Sequence, residues 1–489
     1  MTRSGRPLFL LLGASALAAA LLIFRYGSYP SASDSWSYLF YAFRFRMDGV
    51  LHDLGTIRTY GYPLLLMPLT YLAGFDHARL SALAGIVQYM IYAAACLWLA
   101  ASLRVLSSRW AWAALLALLL GPVGLALVTD ALTEAPSLII AVVLSATAVR
   151  LGWRYAAGRS EGLILVGGAL AGFALMVRPA NLPLVLGWHA AMLAALLLVP
   201  SWREHRPRLA AAALGGLLLG ALSWLPQAIY AMRVTGEASI LPICRLGGFQ
   251  ATFGVLAWKY DTIMGQGAGP WYTPNPLFSG HLNSGDGWGW YLQHPLRGTA
   301  TMLAHLILSF DVGSPFVYIY DRLAWYRHGL RIFYWAAVVL AGFRLAQLSR
   351  AAIRGGFRQP QTAVVTFLLV SCAGTMAINA ISAVETRFNA LPLAVATILA
   401  MEALLAALSG GLGWTRWKWS GALVALILLL GLSYAAEASG RSSLPPGSTF
   451  TLPTDARCTL TLEEESRGQA AVIREYEEKL SRQRGKAPH

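Results

Sequence analysis

Runs of about 20 apolar residues recur along most of the chain, separated by short polar turns, and this alternation predicts a series of membrane-spanning helices. The spans fall at residues 8–24, 79–103, 110–128, 132–151, 163–177, 182–199, 209–230, 332–348, 363–381, 388–408 and 422–436. The expected fold class is therefore an all-α polytopic membrane protein with about 11 transmembrane helices. Between the spans, residues 34–46 pattern as an amphipathic helix lying along the membrane surface. Its aromatics would sit at headgroup level while Arg44 and Arg46 reach to water. Residues 63–74 are apolar but short and hold Pro63 and Pro68, so they read as interfacial or re-entrant. Residues 299–310 are too short to span and read as a surface helix.

The turns sort by charge. Those after residues 103, 151, 199, 348 and 408 carry clustered arginines, among them Arg104, Arg109, Arg150, Arg154, Arg203, Arg206, Arg350 and Arg416. The intervening turns 129–134 and 178–181 carry no such cluster, and by the positive-inside rule the two sets lie on opposite sides. The first run offers small residues at 16–20 that could serve a signal peptidase, but the many later spans favour an uncleaved first helix entering from the cytoplasm. On this topology residues 1–436 form a transmembrane module. Its two main external loops are 25–78 and 232–331, followed by an external C-terminal tail, 437–489, with a charged helix around 462–484.

Composition agrees. Of 489 residues, 57% are hydrophobic and only 12% charged, about half the charged share of a soluble domain. The net charge of +15 is accounted for by the arginines of the inner turns, and no phosphate loop, zinc-finger or RNA-binding pattern accompanies it, which excludes a nucleic-acid reading. Cys96 and Cys372 lie in apolar runs as small core residues. Cys244 and Cys458 both fall outside, where an oxidising compartment permits a disulfide between them.

Several acids and arginines gather at the outer ends of spans. Asp34 follows the first, Asp130 and Glu134 occupy one short turn, Arg178-Pro179 ends another span, and Glu385 and Arg387 open a later one. Each has an ordinary structural role available: helix capping for Asp130, snorkelling for Arg178, mutual pairing for Glu385 and Arg387. Together they would project into one external layer. Carboxylates so close to a membrane are costly unless they face water, a counter-charge or a substrate. The loop 232–331 adds many aromatics, including Trp288, as ring faces for glycan packing or as an interfacial belt. His281 and His294 stand alone and read as structural.

In that order and sidedness the chain resembles the GT-C superfamily of integral-membrane glycosyltransferases, nearest the protein O-mannosyltransferases and the aminoarabinose transferases acting on lipid A. The likeness is carried by Asp34 with its aromatic helix, Tyr62-Pro63-Leu64-Leu65-Leu66, Arg79-Leu80, Glu134-Ala135-Pro136, Met176-Val177-Arg178-Pro179, His294-Pro295-Leu296 and Glu385-Thr386-Arg387-Phe388 with Pro392. It covers residues 8–408. Where many members carry paired acids at the first motif, Asp34 is followed by Ser35, a departure that weighs against a two-carboxylate or metal-binding role there.

The resemblance implies a GT-C fold and transfer of a sugar, with inversion, from a polyprenyl-phosphate donor to a hydroxyl of a glycan, lipid or protein acceptor. The reaction would lie on the external face of a bacterial cytoplasmic membrane. Asp34 would take the acceptor's proton. Arg178 and Arg387, with Lys259 and Arg245 as further candidates, would hold the leaving phosphate. Asp130, Glu134, Glu385, Trp288 and Tyr62 would face sugar or acceptor, and Glu134 or Asp130 could instead bind a divalent metal cation, the one cofactor entertained. A transporter or flippase of lipid-linked or charged solutes is the alternative, and a scaffold that binds lipid-linked glycans a third. A transporter predicts broken, charged segments at mid-membrane in two matching halves, whereas the polar residues here gather at the outer ends.

Overall fold

A computed structural model describes residues 6–26, 34–50, 58–74, 76–153, 160–242, 246–264, 270–280, 282, 286–313, 325–355, 361–382, 384–409 and 416–438. Arg245, His281, Cys244, Cys458 and the tail lie outside the described residues, so the disulfide and the tail helix stay expectations.

In chain order the helices are α1 (Arg6–Tyr26), α2 (Asp34–Asp48), α3 (Gly61–Ala73), α4 (His77–Leu103), α5 (Ser108–Leu119), α6 (Pro122–Val128), α7 (Glu134–Trp153), α8 (Ser160–Val177) and α9 (Leu182–Leu198). They continue with α10 (Arg206–Leu222), α11 (Leu225–Thr235), α12 (Leu246–Leu256), α13 (Gly287–Gln293), α14 (Pro295–Leu308), α15 (Trp325–Gly355), α16 (Gln361–Ile381), α17 (Ala390–Leu408) and α18 (Arg416–Ala438). Among the described residues, ten helical stretches are long and apolar enough to cross a membrane, or eleven if α5 and α6, bent by 57°, count as one. The architecture is thus all-α and polytopic, close to the hydropathy count.

Local chemistry sets the helix ends. Asp76 caps α4 by accepting from the Arg79 N–H at 3.1 Å, and Ser107 caps α5 by accepting from Trp110 at 3.4 Å. Prolines open α6, α9, α10, α11 and α14, where the missing N–H costs nothing. The α5/α6 bend falls at Gly121-Pro122, because Pro122 cannot donate back to the preceding turn.

Helices cannot gain hydrophobic free energy by meeting in lipid, so close packing holds the bundle. The tightest seam joins α8 to α10, each with a small-residue repeat: Gly168 and Gly172 face Gly216 and Gly220. A Cβ on Gly172 would lie 2.4 Å from the Gly220 Cα, so only glycine allows this approach. Elsewhere α9 packs on α16, α15 on α17, and α4 on α7.

Two expectations change in detail. The surface helix α2 forms where predicted, but Tyr38, Tyr41, Phe43 and Phe45 are buried against protein rather than laid on headgroups. Phe43 and Trp36 instead enclose His77 of α4, while Arg46 donates to the Thr70 carbonyl at 2.6 Å and lies over the Tyr71 ring, tying α2 to α3. The loop after α11 contains strands as well as helices. Strand β1 (Ala257–Met264) pairs antiparallel with β2 (Pro270–Pro274), with Tyr260 opposite Tyr272, and Lys259 also forms a parallel bridge to Val384. Aromatic and β-branched residues at Trp258, Tyr260, Thr262 and Ile263 suit a strand, a local signal that the aromatic content of the loop obscured.

The expected surface helix at residues 299–310 is α14. It buries Gly298, Thr301, His305 and Leu308 and exposes Leu292 (at the end of α13), Leu296, Leu303 and Ile307 along the other side. His305 holds its docked side in place, one ring nitrogen 2.8 Å from the Ala380 carbonyl and the other 3.2 Å from the Ala257 carbonyl.

Candidate active site

The alternation of spans brings the start of α2, the start of α7, the residue after α8 and the residues before α17 to one end of the bundle. Asp34 is the first residue of α2 and Glu134 the first of α7, so both carboxylates sit where a helix N-terminus favours negative charge. Arg178 ends the α8 chain in extended conformation before the Pro179 turn. Glu385 and Arg387 sit at the short 3-10 turn that leads into α17. Gly61 lets the start of α3 lie against the end of α8. A Cβ there would come within 2.4 Å of the Met176 carbonyl, two residues before Arg178.

These elements assemble one ion-paired cluster. Arg387 contacts three carboxylates: Asp34 through Nη2 at 3.0 Å, Glu134 through Nε at 3.4 Å, and Glu385 through a short hydrogen bond from Nε. Arg178 reaches the same Glu134 oxygen at 3.0 Å. Arg58 binds the other oxygen of Asp34 at 2.5 Å and lies over the Tyr38 ring, 5.0 Å from its centroid. The Phe388 ring lies beneath both Arg178 and Arg387 at 4.5 and 5.1 Å, an apolar floor that holds the two guanidinium planes. Asp130 stands beside them, accepting from Ser35 at 3.3 Å and from the Ala131 N–H at 2.7 Å.

Exposure separates the acids. The Glu134 and Glu385 side chains are 2% and 4% exposed, Asp34 18%. Asp34 is thus the ion-paired carboxylate an incoming molecule can reach. Burial would push its pKa up, but Arg58 and Arg387 together outweigh it and hold Asp34 far below the usual carboxylate range. Asp130 and Glu385 shift upward. Burial lifts Asp130 to about 6 despite the Ala131 N–H, with Glu134 adding to the rise. Burial lifts Glu385 to about 7 against the pull of Arg387. The cluster therefore contains one carboxylate that stays ionised and two that exchange protons near neutrality.

Of the residues singled out in the sequence, Asp34, Asp130, Glu134, Arg178, Glu385 and Arg387 come together here. Tyr62 joins at one remove: its hydroxyl donates to Gln88 at 3.2 Å, and Gln88 in turn donates to the Asp130 carbonyl at 3.1 Å. Lys259 lies in a neighbouring network, paired with Asp311 at 3.1 Å, where Arg331 and Ser433 also bind the Asp311 carboxylate at 2.8 and 2.6 Å. The two networks meet along residues 384–389: Val384 bridges Lys259, and Asn389 donates to the Ser309 carbonyl at 2.7 Å. Trp288 is 47% exposed on α13, which packs on α12 and α14. Arg58 and Asp311 belong to no motif in the sequence, and Ser35 stands out there only as the departure from a paired acid. Arg58 stands 24 residues from Asp34 with no periodic relation to it, so proximity could not be read from spacing.

Among the described residues no group of three His, Cys, Asp or Glu side chains converges as a cation's ligands would. Both oxygens of Asp34 and Oε1 of Glu134 are directed at guanidinium groups, Oε2 of Glu134 accepts from Thr133, and Oδ1 of Asp130 accepts from Ser35 and a backbone N–H. The cluster as arranged does not fit a divalent cation, and no step below runs through one.

No family model matches the chain, and no curated protein matches it. Solved structures of an oligosaccharyltransferase from Archaeoglobus fulgidus do. The archaeal oligosaccharyltransferase AglB in complex with an inhibitory peptide and a dolichol-phosphate is 13% identical, covers 89% of this chain and 56% of its own, and has a TM-score of 0.45. The complex with Zn and sulfate is 13% identical over 95% of this chain and 56% of its own, with a TM-score of 0.48. The form tethered to an acceptor peptide containing the NVT sequon is 14% identical over 91% and 56%, at 0.46. This chain spans about half the length of those proteins. Likeness at this level assigns no chemistry to it.

Proposed function

We propose that the protein is a GT-C-type glycosyltransferase. It moves a sugar from a polyprenyl-phosphate donor to an acceptor hydroxyl, with inversion, on the external face of a bacterial cytoplasmic membrane. One observation carries the reading: three arginines and three carboxylates, from five separate parts of the chain, converge at one end of an apolar bundle, with Asp34 the most exposed of the three acids. The motifs that resemble the superfamily supply most of those residues.

The chemistry follows from the residue types. The bond from the sugar's anomeric carbon to the phosphate oxygen breaks as the acceptor oxygen attacks from the opposite face. Arg387, Arg178 and Arg58 offer forked, permanently charged donors to the departing phosphate, whose growing charge they stabilise from largely buried positions. Asp34 takes the hydroxyl proton. As an ionised, weakly basic carboxylate it suits an oxocarbenium-like displacement, in which the attacking hydroxyl becomes strongly acidic only as its new bond forms. Two of those arginines, Arg58 and Arg387, also pair with Asp34, so a phosphate that draws on them would loosen that hold and raise its basicity.

The test compares wild type with Asp34→Asn for donor binding and for release of polyprenyl phosphate, using a panel of polyprenyl-phosphate sugars and candidate acceptors. Binding by both proteins with release by wild type alone supports the reading. Equal release removes Asp34 from the proton-accepting role. Failure of every donor to bind favours the transporter alternative.

A further inference from the structure

Arg387 is shared by three carboxylates in a largely buried site, and their other partners differ. Asp34 has a second guanidinium in Arg58, and Glu134 has a second in Arg178. Among the described residues Glu385 pairs with the Arg387 guanidinium alone, and it shares that cation with both of the others. Crowded like charges in a low dielectric are relieved by taking up a proton, and the proton goes to the carboxylate with the weakest cationic support. The charged and titratable groups facing this point are Asp34 on α2, Arg58, Asp130 and Glu134 at the start of α7, Arg178 after α8, and Lys259 through the strand bridged to Val384.

We propose that Glu385 is a positioning residue for the donor phosphate: it carries the proton of the Arg387 cluster, and in that neutral form leaves Arg387 free to engage the phosphate anion. The proposal rests on the polyprenyl-phosphate reading above. The upward shift of Glu385 to about 7 sets where the effect should be seen. When Glu385 ionises it competes for Arg387 and repels the phosphate; a bound phosphate, by reciprocity, draws a proton onto Glu385. Donor binding and protonation are thereby coupled, one proton per phosphate.

The test uses a phosphate that does not titrate in the range of interest: the methyl phosphodiester of a short polyprenol, offered to the full-length protein in lipid nanodiscs. Affinity is measured from about pH 6 to about pH 9, a range that brackets Glu385. Calorimetry in two buffers of different ionisation enthalpy counts protons taken up. In wild type, affinity should fall about tenfold per pH unit above about 7, with net proton uptake on binding. Glu385→Gln should flatten the profile at the wild type's acidic affinity and abolish uptake, whereas Asp130→Asn should keep the fall. A flat wild-type profile without uptake overturns the proposal while leaving the donor reading standing. No binding at any pH overturns the donor reading and the proposal with it. Should Glu385→Gln not fold, Glu385→Asp shows whether the midpoint moves with this carboxylate, and an unmoved midpoint counts against it.

Discussion

At the scale of single residues, charge balance in the cluster dominates. Arg387 holds three carboxylates, so Arg387→Ala would leave buried charge uncompensated and is expected to cost about 3–5 kcal/mol, read as a large loss of thermal stability. Arg344, which forks onto the fully buried Glu402 at the other end of the bundle, should behave alike, which separates general stability from chemistry: Arg344→Ala destabilises without shifting the pH profile. The pH dependence has two signs. Asp34 is depressed when folded, so its contribution is present above the unfolded value near 3.9 and is lost only as pH falls through its low folded value. Asp130 and Glu385 are raised, so they weaken the fold as pH climbs from about 4 through about 6 and about 7. Thermal melts across this range should show Asp130→Asn and Glu385→Gln gaining on wild type toward alkaline pH.

At the scale of elements, the seam of α8 and α10 is the most sensitive. Gly172→Leu inserts a side chain where even a Cβ meets the Gly220 Cα at 2.4 Å, and neither backbone can yield without parting the helices. Loss of the monodisperse peak in detergent size-exclusion is expected, whereas Gly162→Leu on the same helix, with nothing near its Cβ, should be tolerated. Helix α14 offers a different test. Leu296 is 86% exposed on an apolar stripe of a helix docked against the end of α16. If that stripe meets lipid, a spin label at Leu296→Cys will be relaxed by lipid-soluble oxygen more than by an aqueous nickel complex.

At the scale of the whole molecule, sidedness ties the parts together. An impermeant thiol reagent on intact cells should label Glu237→Cys and spare Ser107→Cys until the membrane is opened; the reverse pattern would place the cluster in the cytoplasm. Much of this layout could be read in advance. Hydropathy located the spans because each helix must bury its backbone polar groups internally across the bilayer, and charge alternation then put Asp34, Glu134, Arg178 and Arg387 at one end. The β-hairpin and the inward turn of the α2 aromatics were not legible, since each depends on what the neighbouring elements cover.

The sequence by itself determined that this is a helical membrane protein, how often it crosses, and which acids and arginines share a side, because those follow from apolar length and local charge. Only the tertiary structure decided that Arg58 binds Asp34, that Arg387 serves three carboxylates, and that Lys259 answers to Asp311. Apart from the neighbouring Arg387 and Glu385, those pairings join residues tens to hundreds of positions apart, and they arise from how the elements meet in the bundle. No periodicity along the chain encodes that meeting.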